Sequence, residues 1–116
     1  SKRYKNEQYA CVAKAIRAGV KISAGSDFVG YSQEINACEI AALNRAGMTP
    51  MQAIQAATRV GAELLGWENR IGTVEPGKLA DLVAVPGDPL ADLGLLAHPS
   101  FVMVGGRRVP LDLARH

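Results

Sequence analysis

The sequence predicts an α/β fold in which a helical half is followed by a half of short strands. In the first half, a tight turn at Gly19 leads into a short apolar segment, residues 20–24, which ends just before Gly25-Ser26-Asp27. In the second half, from Ile71 onward, short apolar runs are separated by Pro and Gly. Chemistry in α/β folds is usually found just past the C-terminal ends of strands, so Asp27 is a candidate site residue. Because Gly-Ser-Asp is also common turn chemistry, this stretch taken alone favours a turn or capping role for Asp27.

Length and composition restrict the classes of function. The chain has 116 residues, which is room for one domain at most. Its net charge of +2 is spread along the sequence, so we expect no nucleic-acid partner and no membrane-surface partner. No apolar run reaches the ~20 residues that a membrane span requires. The basic N-terminus is not followed by the apolar region of a secretory signal, which favours a cytoplasmic location.

The two cysteines, Cys11 and Cys38, each lie within a helical pattern. We predict that both are reduced, small apolar residues of the core, as is usual in a cytoplasmic protein. A disulfide between them remains an open alternative, although nothing in the sequence requires one.

The helical half contains four predicted helices, with a strand over residues 20–24 after the first of them. Their predicted spans are residues 5–18, 33–46, 50–57 and 59–65. Thr49-Pro50-Met51-Gln52 has the Thr, Pro and Gln of a capping box, which predicts the start of the third helix. Ser32 and Thr58 are the predicted N-caps of the second and fourth helices. The glycines that end helices are predicted to be Gly19, Gly47 and Gly66.

The strand half begins after a boundary near residues 66–71. Glu75-Pro76-Gly77-Lys78 predicts a type II turn, because Pro presets φ and Gly adopts positive φ. A strand is predicted over residues 79–85, in which Asp81 is interpreted as an edge or turn-pairing carboxylate and not as a metal ligand. A short helical turn or loop follows over residues 90–97. The Gly105-Gly106 pair then predicts a hairpin with a two-residue turn.

Several strings of the sequence resemble a known family. The most specific are AGMTPMQAIQAAT, residues 46–58, and IGTVEPGKLADLV, residues 71–83. Together with the GSD string and the VMVGGRRV hairpin, they resemble the C-terminal segment of the metal-dependent amidohydrolases. Within that superfamily the chain is most similar to the imidazolonepropionase-like and Xaa-Pro dipeptidase-like branch. The resemblance extends from about Tyr9 to Val109.

The resemblance implies a larger architecture. Such enzymes are distorted (β/α)8 TIM barrels with a small β-sandwich that is built from both chain ends. Residues 1–66 would be the C-terminal part of the barrel, with its last strand at 20–24 and its last helix at 33–46. Residues 67–116 would be the C-terminal part of the sandwich.

The resemblance also implies a site. Asp27 would match the aspartate after the last barrel strand, which binds the divalent metal, expected to be zinc, and takes a proton from the hydrolytic water. The reaction would be hydrolysis of a C–N bond in a small-molecule amide, a dipeptide such as Xaa-Pro, or a cyclic amide like imidazolonepropionate. Phe28 and Tyr31, near Asp27 in the same loop, would either line the substrate pocket or cover the mouth of the barrel.

The sequence departs from the family pattern at its metal ligands. The His-x-His pair and the other ligands of the family are absent, and the only histidines, His98 and His116, are interpreted as solvated surface residues. A metal site needs three or four converging ligands, so we expect this chain alone to bind no metal and to be inactive. A barrel takes ~250 residues, so we expect a fragment of a larger enzyme that self-associates when isolated. The alternative is a non-catalytic interaction or structural module that retains part of the fold.

Overall fold

The computed structural model describes residues 2–25 and 34–111, with the backbone alone at residues 34–36. The described chain contains the helices α1 (Lys2–Arg17), α2 (Glu34–Arg45), α3 (Pro50–Ala57) and α4 (Arg59–Leu65). These are followed by the strands β1 (Leu82–Ala84), β2 (Phe101–Val104) and β3 (Arg107–Arg108), with a 3-10 helix at Leu93–Ala97. Helices therefore precede a small antiparallel sheet, as the sequence predicts. The predicted cap Ser32 lies outside the described residues.

The ends of the helices are set by local signals. At the end of α1, Gly19 has φ of 77°, and its amide donates to the Ile16 carbonyl at 3.0 Å. The amide of Val20 donates to the Ala15 carbonyl at 3.1 Å, which completes a Schellman motif. Equivalent pairs of bonds end α2 at Gly47 and α4 at Gly66. The three predicted helix stops are confirmed, although α1 begins three residues earlier than predicted.

The start of α3 is the predicted capping box. The Thr49 hydroxyl accepts from the Gln52 amide at 3.2 Å, and the Gln52 side chain accepts from the Thr49 amide at 2.9 Å. The prediction that Thr58 caps α4 is wrong, because its hydroxyl donates to the Ile54 carbonyl at 2.9 Å and makes no cap bond. Only Thr58 separates the two helices, and its hydroxyl takes the carbonyl four residues back, which is a common alternative for Thr.

The predicted strand over residues 20–24 is not a strand in the structure. A strand requires a hydrogen-bonded neighbour, and no described residue pairs with this segment in a ladder. Its backbone bonds to described helices run from the Val20 amide to the Ala15 carbonyl of α1 at 3.1 Å and from the Ala24 amide to the Ala56 carbonyl of α3 at 2.9 Å. The apolar character of the segment is local, but its pairing depends on a partner that the described residues do not contain.

The helices pack on one another through very small side chains. α2 packs against α3 and against the 3-10 helix, and α3 packs against α4. The buried hydrophobic residues of the described chain are all alanines, namely Ala46, Ala53, Ala56 and Ala62. A methyl group removes little apolar area from water, so this core contributes far less than a core of Leu, Ile or Phe side chains.

Large apolar side chains remain exposed on α4 and on the segment that follows it. Leu64 and Leu65 of α4 keep 75% and 69% of their surface accessible, and Val74 between α4 and β1 keeps 85%. The two cysteines are free thiols, as predicted, but both are exposed, so their placement in the core is wrong for the described chain. Both lie on helix faces that no other described element buries.

We expect the isolated chain to self-associate, because exposed apolar surface of this kind is usually covered in stable proteins. Sedimentation velocity over a range of concentrations should show species larger than a monomer. Replacing Leu64 and Leu65 together by Glu should shift the distribution toward monomer, whereas Asn69→Glu on the neighbouring exposed turn should not. A compact monomer with a sharp two-state melting curve would contradict the prediction.

The sheet is short and closed by a tight hairpin. β1 pairs antiparallel with β2, with Leu82 opposite Met103, and β2 pairs antiparallel with β3. Gly105 and Gly106 have φ of 57° and 80°, and positive φ at both central positions is the mark of a type I′ turn. The predicted strand 79–85 is reduced to Leu82–Ala84. Asp81 instead accepts from the Gly105 amide at 2.7 Å, which confirms its turn-pairing role.

The turn before the sheet is held by a group of three polar side chains. Gly77 has φ of 89°, and the Lys78 amide donates to the Glu75 carbonyl at 3.3 Å, in agreement with the predicted turn. Thr73 donates to the Glu75 carboxylate at 2.7 Å, and the Lys78 ammonium lies 2.9 Å from the same carboxylate. The Thr73 hydroxyl and then Lys78 hold the pKa of Glu75 below its ordinary value.

Among the described helices, none is long and apolar enough to cross a bilayer.

Candidate functional site

Residues 20–25, which we call the docked segment, are the described residues that directly precede the predicted site residues in the sequence. The predicted site residues Asp27, Phe28 and Tyr31 lie outside the described residues. The docked segment leads directly toward them in sequence, since Gly25 precedes Asp27 by two residues. The contacts of this segment are therefore the part of the site that the structure describes.

The docked segment lies against the end of α3 and the side of α4. The Ala24 amide donates to the Ala56 carbonyl at 2.9 Å, which joins the segment to the last turn of α3. On α4, a Cβ atom at Gly61 would lie 3.4 Å from the Ser23 hydroxyl. A methyl group at position 61 would therefore make an ordinary van der Waals contact with Ser23, which shows that the segment lies directly against the helix.

A charged contact joins the beginning of the docked segment to α4. The Lys21 ammonium forms an ion pair with the Glu63 carboxylate, which also receives Arg59 at 2.8 Å. The hydrogen bond from Lys21, followed by Arg59, holds the pKa of Glu63 below its ordinary value. Because the Lys21 side chain is 69% exposed, the pair contributes little stability, but it favours one position of the segment on the helix.

A shallow open cleft of about 360 Å³ lies between the docked segment and α4. Its walls are mostly apolar, and they include Ser23, Ala24, Thr58, Gly61, Leu64 and Ile71. Among the described residues, the polar side chains in this lining are the hydroxyls of Ser23 and Thr58. This described lining can contact an apolar group, and it supplies no acid or base for catalysis.

The described residues do not fit a metal ion. Over residues 2–25 and 34–111, no three His, Cys, Asp or Glu side chains come together as a ligand set. His98 is exposed, as predicted, and His116 lies outside the described residues. Any metal site that includes Asp27 would need further ligands from elsewhere.

Sequence reasoning did not identify Ala56, Gly61 or Glu63 as neighbours of the docked segment. Gly61 carries a signal, because Gly within a helix costs about 1 kcal/mol relative to Ala and often marks a close approach. Glu63 carries none, since Glu is ordinary on a helix surface. Ala56 lies in a run of small residues in which no single alanine is distinguished.

Comparison with known proteins identifies the family. The model of the amidohydrolase family matches residues 1–109. A crystal structure of an Xaa-Pro dipeptidase with bound methionine is 38% identical, with a TM-score of 0.82, over 87% of this chain and 25% of that one. The imidazolonepropionase of Cutibacterium acnes is 32% identical over 74% of this chain and 25% of its own length. The 5-methylthioadenosine/S-adenosylhomocysteine deaminase of Caldanaerobacter subterraneus is 31% identical over 66% of this chain and 20% of its own length.

The chain thus spans a quarter or less of the length of these relatives. The family match includes α1, the docked segment, the remaining helices and the sheet up to β3. It covers both of the specific strings on which the resemblance was based, residues 46–58 and 71–83. The chain belongs to the amidohydrolase family.

Proposed function

We propose that this chain is the C-terminal piece of a metal-dependent hydrolase that cleaves C–N bonds in amides, dipeptides or cyclic amides. The observation that carries the proposal is the family match over residues 1–109. The names of the relatives support the bond type, since a dipeptidase, an imidazolonepropionase and a deaminase all break a C–N bond. In this proposal residues 1–66 belong to a (β/α)8 barrel and residues 67–116 belong to a β-sandwich.

Asp27 is the proposed catalytic residue and metal ligand. A carboxylate within reach of the attacking water accepts its proton and returns it to the leaving nitrogen. Phe28 and Tyr31 belong to the substrate site, where they line the pocket or cover its mouth. A divalent metal, proposed to be zinc, supplies Lewis-acid activation when it is bound. Because the described residues offer no ligand cluster, we assign the other ligands to the rest of the enzyme.

The proposal covers the isolated chain as well. The chain would be inactive alone, since one aspartate does not form a metal site. Its substrates would be small molecules, and its location would be cytoplasmic, a proposal supported by the free thiols of Cys11 and Cys38.

The test is an assay of the complete enzyme with a panel of Xaa-Pro dipeptides, N-acyl amino acids and cyclic amides. We expect hydrolysis of at least one class, loss of that activity with a chelator, and recovery with added zinc. The 116-residue chain assayed in parallel should hydrolyse none of them. Absence of turnover by the metal-loaded complete protein would overturn the proposal in favour of a non-catalytic interaction module.

A further inference from the structure

We propose that Ala56 on α3 and Glu63 on α4 are positioning residues, which fix the docked segment that leads in sequence to Asp27. The catalytic part of this inference rests on the function proposed for Asp27. The structural part stands on the contacts of residues 20–25 alone. Neither residue is a catalytic residue in this proposal, because each acts through the docked segment.

The first contact is directional. The bond from the Ala24 amide to the Ala56 carbonyl is 2.9 Å long, and backbone hydrogen bonds weaken steeply when they are misaligned. The Ala56 side chain is 1% exposed, so a larger side chain there would have to move α3 and its carbonyl with it. Ala57 lines the cleft beside Ser23 and Ala24, so it is not an independent control. Ala10, which is exposed in the middle of α1, offers a chemically identical residue away from the docked segment.

The second contact is electrostatic and acts three residues earlier in the segment. The Glu63 carboxylate forms one ion pair with Lys21 of the docked segment and another with Arg59 of its own helix. Arg59, four residues before Glu63 on α4, restricts the carboxylate to one side of the helix. No described strand pairs with the docked segment. Its start is bonded to α1 through the Val20 amide, and the ion pair at Lys21 and the bond at Ala24 fix it on α4 and α3.

Hydrogen exchange of the Ala24 amide tests the first contact in the full 116-residue chain, at a concentration where every variant sediments alike. We expect Ala56→Val to accelerate this exchange about tenfold, in line with the loss of one hydrogen bond. Ala10→Val has the same helix-propensity cost on the exposed face of α1 and should change the rate less than about twofold. Equal effects of the two variants, or an unprotected Ala24 amide in the parent chain, would overturn the inference.

The second contact is tested by a separate double-mutant cycle on Lys21 and Glu63, which remains informative if the Ala56→Val chain does not fold. Glu63→Gln and Lys21→Gln should each accelerate Ala24 exchange by about two- to fivefold, as for a partly exposed ion pair. Arg59→Gln leaves the Lys21 contact in place and should have a smaller effect. The reversed pair, Lys21→Glu with Glu63→Lys, should recover most of the protection. If Arg59→Gln matches Glu63→Gln, or the reversed pair does not recover protection, Glu63 is not a positioning residue.

Kinetics of the complete enzyme separate this inference from the proposed function. Ala56→Val should lower kcat about tenfold with KM nearly unchanged, because small misplacements of catalytic groups act mainly on the chemical step. If exchange responds as expected and the complete protein hydrolyses nothing, the proposed function fails while the structural contacts stand. If exchange responds and kcat does not, the positioning role fails while the hydrolase assignment stands.

Discussion

In the complete enzyme, Asp27→Asn should leave the fold intact and lower kcat by roughly 10²–10⁴-fold, which is the usual contribution of general acid–base catalysis. The two side chains are nearly the same size, so packing is preserved. The amide, however, cannot take a proton from water, and it is a weaker metal ligand than a carboxylate. Steady-state kinetics on whichever substrate class is hydrolysed give the measurement.

Asp88→Asn is the matched control for this substitution. The Asp88 side chain accepts a hydrogen bond from the Leu90 amide, at 2.9 Å, and an asparagine oxygen can still accept it. The kcat of the Asp88→Asn enzyme should therefore stay within about twofold of the parent value. An Asp27→Asn enzyme that keeps more than about a tenth of the parent kcat would refute the catalytic assignment.

Gly72→Ala should destabilise the chain by roughly 2–5 kcal/mol, because it combines backbone strain with overpacking. Gly72 has φ of +98°, where L-residues are strained. A Cβ atom there would lie 2.6 Å from the Ala62 Cβ and 3.2 Å from the Thr58 carbonyl oxygen, so α4 or the segment after it must move. Urea denaturation, followed by circular dichroism at matched concentrations, measures the change in the free energy of unfolding.

Gly106→Ala separates the two costs. Gly106 also has positive φ, +80°, but no atom lies within 4 Å of the position that its Cβ would take. This variant should show the strain alone, about 1–2 kcal/mol. The difference between the two variants then measures the contact with α4. If Gly72→Ala is no less stable than Gly106→Ala, the close packing of Gly72 on Ala62 does not contribute as the structure indicates.

The parts of the fold that follow from the sequence are those set by neighbouring residues. The capping box at Thr49, the helix stop at Gly66 and the hairpin turn at Gly105-Gly106 each depend on bonds within a few positions. Asp81 was also interpreted correctly, because turn chemistry lies on both sides of its strand. The predicted strand over residues 20–24 failed because a ladder partner is a non-local feature, and none lies in the described chain. The prediction that Cys11 and Cys38 lie in the core failed for a similar reason, since a helical pattern does not say which face is covered.

For the candidate site as well, the sequence predicts the features that depend on neighbouring residues and misses those that depend on distant ones. Asp27 could be selected because it follows an apolar segment and lies in a string that resembles a family motif. The contacts of Lys21 with Glu63 and of Ala24 with Ala56 join positions that are far apart in sequence. No local pattern encodes such pairs, and only the folded arrangement of α3 and α4 reveals them.

The alanine core also affects how the chain responds to temperature. The heat-capacity increment of unfolding rises with the apolar surface that becomes hydrated, and is ordinarily about 12–15 cal/mol/K per residue. When the buried hydrophobic residues are Ala46, Ala53, Ala56 and Ala62, unfolding hydrates little additional hydrocarbon. The free energy of unfolding of the isolated chain should therefore vary less with temperature than that of a domain of equal length with a core of larger apolar side chains. Its maximum should also be low. Association that covers Leu64 and Leu65 would restore curvature, so calorimetry can report on assembly through the heat capacity alone.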